Sequence, residues 1–186
     1  MKNILAFGAS SSKNSINKQL AQYAASQVQD TVVCLIDLND FEMPIFSVGI
    51  ENSNGIPNKA QEFKELVDKA DGIVLSLAEH NGSFTVAYKN IFDWVSRIDK
   101  NVFQSKPLFL LATSPGERGG KSVLDHAVSI YSHSNKSIPQ SFSLPSFNKN
   151  FDEEKGIIDA SLKSEFEKKL ESFSEDLKET VGEPCN

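Results

Sequence analysis

The feature that most constrains this chain is a regular alternation of short apolar runs with helix-period segments. Runs at Asn3–Phe7, Thr31–Ile36, Gly72–Leu77 and Leu108–Ala112 read as strands, and a weaker one at Ser137–Phe142 makes five. Between them apolar residues recur every three or four positions. Ser15–Gln29 carries Ile16, Leu20, Tyr23 and Ala24 on one face. "GIPNKAQEFKELVDKADG" has a proline near its first turn and a glycine stop. Thr85–Arg97 turns Val86, Ile91 and Val95 inward, and a further helix covers Lys121–Ser132. "DLNDFEMPIFS", after the second run, reads as a long irregular loop. Strands that each hand over to a helix pair in parallel, and a parallel sheet is covered on both faces. The expected fold is therefore α/β, a doubly wound five-stranded parallel sheet with helices on both faces. In such sheets ligands bind beyond the carboxyl ends of the strands. The loops after strands one, three and four are the places to look for function.

A chain of 186 residues is expected to form one domain, spanning residues 1–186, and buries about 70% of its unfolded surface. Its tail, at about 159–180, reads as a charged amphipathic helix packing through Leu162, Phe166, Leu170, Phe173 and Leu177. The net charge of −6 leaves no basic surface for phosphate backbones, so no nucleic-acid partner is expected. No apolar run approaches the ~20 residues of a membrane span, and Met1-Lys2-Asn3 leads straight into a strand. No membrane partner and a cytoplasmic location are the expectation. Cys34, inside Val32–Ile36, is expected to be a buried core thiol, and Cys185 is penultimate; neither has metal or phosphatase-loop spacing.

Three loops carry concentrated chemistry. The first, "FGASSSKNSIN", places Ser10, Ser11, Ser12 and Ser15 before a helix whose first amides are unpaired and whose dipole end is positive. Asn17 is one turn in. An anion site and an elaborate helix cap use the same residues. The loop is neither GxGxxG nor GxxxxGK[ST], which disfavours dinucleotide and P-loop readings. The second, "LAEHNGSFTVAYKNIFDW", sets Glu79 and His80 before a tight Asn81-Gly82-Ser83 turn, with no second histidine at metal spacing. The third, "TSPGERGG", offers Ser114 and three glycines that let backbone approach a flat ligand closely. Taken alone, the second is equally explained as a solvated polar loop and the third by ordinary connection chemistry.

Taken together, the three resemble the NADPH-dependent FMN reductase family of flavodoxin-like proteins over the first ~145 residues. The family's G-S-x-R-x-x-S-x-N loop corresponds to Gly8–Asn17, with Leu20-Ala21 following. Its P-E-Y-N-G-S…L-K-N-A-I-D-W corresponds to Ala78-Glu79-His80-Asn81-Gly82-Ser83…Tyr88-Lys89-Asn90-Ile91-Phe92-Asp93-Trp94, and its S-x-G-x-x-G-G to Ser114–Gly120. Three departures stand out: Ser12 replaces the usual arginine, Ala78 the proline, and His80 the tyrosine.

The resemblance implies that Ser10, Ser12, Ser15, Ile16 and Asn17 hold the phosphate of FMN. It further implies that Glu79, His80, Asn81 and Gly82 border the isoalloxazine ring, with Ser114, Gly116, Gly119 and Gly120 along its other edge. FMN as cofactor, NAD(P)H as co-substrate, a small-molecule electron acceptor and a homodimer or homotetramer are implied as well. The flavin performs the redox chemistry, so no catalytic side chain and no metal are expected. A flavodoxin-type electron carrier and a flavin-binding module without turnover are the alternatives.

Overall fold

The computed structural model of the protein describes residues 1–134 and 138–179. Five strands form a parallel sheet: β1 (Lys2–Ala9), β2 (Thr31–Ile36), β3 (Gly72–Leu77), β4 (Leu108–Thr113) and β5 (Gln140–Leu144). Their order is β2-β1-β3-β4-β5. This is the expected doubly wound, flavodoxin-like arrangement, and its winding direction reverses between β1 and β3. The register levels the strand ends there, pairing Ala9 with Leu77 and Leu77 with Ala112.

Alternation along each strand builds two cores. Leu5, Phe7 and Ala9 face α3 (Asn58–Lys69), α4 (Val86–Ile98) and α5 (Lys121–Ser134). Ile4 and Ala6 face α1 (Ile16–Ser26) and α7 (Ala160–Glu179). Every residue of β3 and β4 is buried, because helices cover both faces of the central strands. Aromatic side chains fill much of the first core. Phe7 meets Phe63 edge-on at 5.5 Å, and the buried hydroxyls of Tyr88 and Tyr131 bond each other. Burial raises the pKa of both phenols. On the other face, Phe166, Phe173 and Leu177 of α7 are buried, as their spacing predicts.

Several details differ from the sequence reading. Cys34 is exposed: among the described residues β2 is an edge strand bonded only to β1, and its middle residues Val32, Val33 and Cys34 all reach solvent. Val86 is 69% exposed, because it is the first residue of α4, beside the carboxyl edge, while Ile91 and Val95 are buried as expected. α1 stops at Ser26, and the fifth strand begins at Gln140. The long loop after β2 contains a 3₁₀ turn at Leu38–Phe41 and leads to α2 (Val48–Asn54). A short helix, α6 (Phe147–Asn150), and a hairpin of β6 (Phe151–Asp152) and β7 (Gly156–Ile157) precede α7; none was evident from periodicity. Ser137, Thr180 and Cys185 lie outside the described residues. Among the described residues, no helix is long and apolar enough to cross a membrane.

Candidate functional site at the carboxyl edge

The first loop leaves β1 at Ala9, and α1 returns across Gly8. A side chain at Gly8 would collide with the backbone of Asn17 and Lys18, so glycine is what lets the helix start so close to the strand. Ser15 is the N-cap, its hydroxyl accepting from the Lys18 amide at 3.1 Å. Ser10 is buried and shapes the turn, its hydroxyl accepting from the Ser12 amide at 3.1 Å. Ser12 is exposed. The amides of Ser11, Asn14, Ile16 and Asn17 have no hydrogen-bond partner among the described residues. Unpartnered amides around a helix N-terminus are the donor set that a phosphate requires. A phosphate group therefore fits this loop.

Asn17 has a different task. Its side chain is buried; Oδ1 accepts from the Ser76 hydroxyl at 2.8 Å and from the Thr113 amide at 3.1 Å. Its Nδ2 donates to the Thr113 carbonyl at 3.2 Å. One amide thus bonds α1 to the ends of β3 and β4. Two further ties fix the other loops. The Thr85 hydroxyl, also the N-cap of α4, donates to the Ala9 carbonyl at 2.9 Å. A Glu79 carboxylate oxygen accepts from the Val123 amide at 3.1 Å, capping the first turn of α5. Ser76, Thr85 and Thr113 escaped the sequence reading. Their signal was a hydroxyl within or next to an apolar run, a place where an unpaired polar group is costly.

After β3, His80 and Ser83 exchange both backbone hydrogen bonds, at 3.0 and 3.1 Å, around Asn81 and Gly82. Both central residues have positive φ, +52° and +78°, a type I′ turn for which Asn-Gly is the preferred pair. The turn holds His80, Asn81 and Gly82 exposed at the rim. After β4, Ser114 is half-buried and Gly116 is open to solvent. Gly119 and Gly120 are buried instead. A Cβ on Gly119 would lie 2.5 Å from the Ser143 hydroxyl and 2.9 Å from the Pro145 nitrogen. These two glycines pack the loop against the ends of β4 and β5. The K-N-x-x-D-W segment is also explained by packing. Asn90 donates to the carbonyls of Met43 and Pro44 and accepts from the Phe46 amide, and the Trp94 indole donates to Pro44 at 2.7 Å. Together they pin the loop after β2, which with Ser11, Val86 and Asn90 surrounds a cavity of about 590 Å³.

All thirteen site residues read from the sequence lie on these three loops or the first turn of α1, brought to one sheet edge at the switch point. Residues 2–149 match the NADPH-dependent FMN reductase family. The chain belongs to that family. Its members use FMN with NAD(P)H. The sequence is 29% identical over 79 residues to the quinone reductase of Escherichia coli, 42% of each chain. It is 33% identical over 106 residues to an NADPH azoreductase of a Bacillus species, 57% of this chain and 55% of that one. These matches span only about half the length of either relative. In structure it resembles a flavoenzyme NAD(P)H:(acceptor) oxidoreductase from Paracoccus denitrificans, with a TM-score of 0.75, 18% identity, and 96% and 98% of the two chains covered.

Proposed function

We propose that the protein is an FMN-dependent NAD(P)H oxidoreductase that passes reducing equivalents to a small acceptor such as a quinone, an azo dye or a flavin. The observation that carries this reading is the group of unpartnered amides at the start of α1, in a member of the FMN reductase family. The phosphate lies at Ser10, Ser12, Ser15, Ile16 and Asn17. Backbone amides and the Ser12 hydroxyl supply the donors, while the Ser10 and Ser15 hydroxyls and the Asn17 side chain hold the loop in shape. The ring lies between the turn of Glu79, His80, Asn81 and Gly82 and the strand of loop from Ser114 to Gly116, with Gly119 and Gly120 supporting that edge from beneath.

Bound FMN supplies the hydride and electron chemistry. The chain's own residues bind and orient it, through loops fixed before the ligand arrives. Two exposed apolar residues, Ile45 at 71% and Val86 at 69%, line the cavity beside Ser11. They support a homodimer or homotetramer with the site near a subunit contact. A cytoplasmic setting goes with a reductant held in that compartment.

The test is steady-state turnover. Purified protein with FMN should consume NADPH continuously when a soluble quinone is present, in proportion to both protein and FMN. A chain that binds FMN but shows no consumption without a protein partner would be the flavodoxin-type carrier instead.

A further inference from the structure

We propose that Asp37 is a restraining residue that keeps Lys18 away from the phosphate of the bound nucleotide, and so sets how tightly the cofactor is held. This rests on the placement of the phosphate at α1. Lys18 is the third residue of that helix, counted from the Ser15 cap. A side chain at this position is the one that folds back to the N-terminus in a capping box. It is therefore within reach of an anion in front of the helix. Its charge is already paired. Its Nζ donates to Asp37 Oδ2 at 2.6 Å, at the carboxyl end of β2.

Asp37 is fixed in turn. Its other oxygen accepts from the Asn39 amide at 2.9 Å and from the Asn39 side chain at 2.7 Å, capping the 3₁₀ turn. Burial opposes its ionisation, but the hydrogen bonds from Lys18 and Asn39 and the Lys18 charge outweigh burial and hold the carboxyl below its ordinary range. Both side chains are largely covered, at 32% and 24% exposure, so bulk solvent screens the pair less than an open one. Lys13, a cation within the loop itself, is exposed.

The consequence is an anion site built from neutral donors with a cation stored next to it. Asp37 cancels a charge that would otherwise act on the phosphate at close range. The holding of Lys18 favours an FMN that exchanges over one that is locked in place.

The experiment is titration of the full chain with FMN and with riboflavin, for wild type, Asp37→Asn, Lys18→Met and the double variant. Asparagine keeps an oxygen for Asn39, and thermal melts check that each variant is folded. Asp37→Asn should tighten FMN about fivefold or more at low ionic strength, and half-molar salt should shrink that gain. Its affinity for riboflavin should stay unchanged. Lys18→Met alone should alter FMN affinity less than about twofold, and in the double variant it should abolish the gain. The proposal is overturned if Asp37→Asn leaves FMN affinity unchanged or weakens it, or if riboflavin tightens equally. A tenfold loss in Lys18→Met also overturns it, since Lys18 would then be a phosphate ligand despite Asp37. Wild type failing to prefer FMN over riboflavin would refute the phosphate placement itself, and is read from a separate pair of curves.

Discussion

The loop after β1 and the loop after β4 are both short runs of small and polar residues, four serines with Lys13 and Asn14 in the first and Ser114 with three glycines in the second, yet they are held in different ways. In Ser10–Ser15 the side chains close on the loop and helix cap, which leaves main-chain amides without partners. In Ser114–Gly120 the main chain closes on the protein. Gly119 and Gly120 sit against β4 and β5, the Ser143 hydroxyl donates to the Gly119 carbonyl at 3.0 Å, and Gly116 accepts from the Ser146 amide at 2.9 Å. Small polar residues therefore do not by themselves make a phosphate site. What separates the two loops is the start of the helix that follows: the Ile16 and Asn17 amides of α1 have no partner among the described residues, whereas at the start of α5 the Lys121 and Val123 amides donate to Arg118 and Glu79.

The contrast can be broken at several points. The largest effect is expected from Asn17→Ala, which leaves the Ser76 hydroxyl and the Thr113 amide buried without their partner. A loss of about 3–5 kcal/mol in urea unfolding follows, with FMN binding falling too because three loops separate. Retained stability with lost FMN would make Asn17 a ligand rather than a tie. Next comes Gly119→Ala, strained by its positive φ of +58° and blocked by Ser143 and Pro145. It should cost about 2–4 kcal/mol in the same assay. Its FMN affinity should fall less than its stability implies, whereas a selective loss of FMN would place Gly119 against the ring.

Smaller effects sharpen the comparison on the first loop. Ser15→Ala removes the cap of α1 and should lower the melting free energy by about 1 kcal/mol while weakening FMN, as the helix start frays. In Gly116→Ala the new Cβ meets only the Ser114 hydroxyl, at 3.8 Å, an ordinary contact. Its stability should stay within about 0.5 kcal/mol of wild type, so that any change in flavin fluorescence reports the ring edge directly. The smallest change is expected from Lys13→Ala, an exposed cation, with FMN affinity altered by less than about twofold in a calorimetric titration.

Most of the frame was legible because its signals are local. Strands β1 to β4 and the long helices announce themselves by period, and the carboxyl edge follows from topology. The edge position of β2 was not legible, since strand order is set by long-range pairing, and Cys34 was accordingly placed inside when it is out. The three loops were found, but the division of labour within them was not. Asn17 and Glu79 have the chemistry of ligands, and only the structure shows them bonded to Thr113, Ser76 and Val123 across distances of many residues. The Asp37–Lys18 pair was invisible for the same reason, joining the end of one strand to the start of a helix on the neighbouring one.

The central claim is that the amides at the start of α1 are held free for a phosphate. Its most direct test is a parallel titration of the wild-type chain with FMN and with riboflavin, which differ only in that group. Several hydrogen bonds to a charged phosphate, each contributing about 1.5–3 kcal/mol, predict that FMN binds at least tenfold more tightly. Equal affinities would contradict the account and leave the serine-rich loop as a helix cap alone.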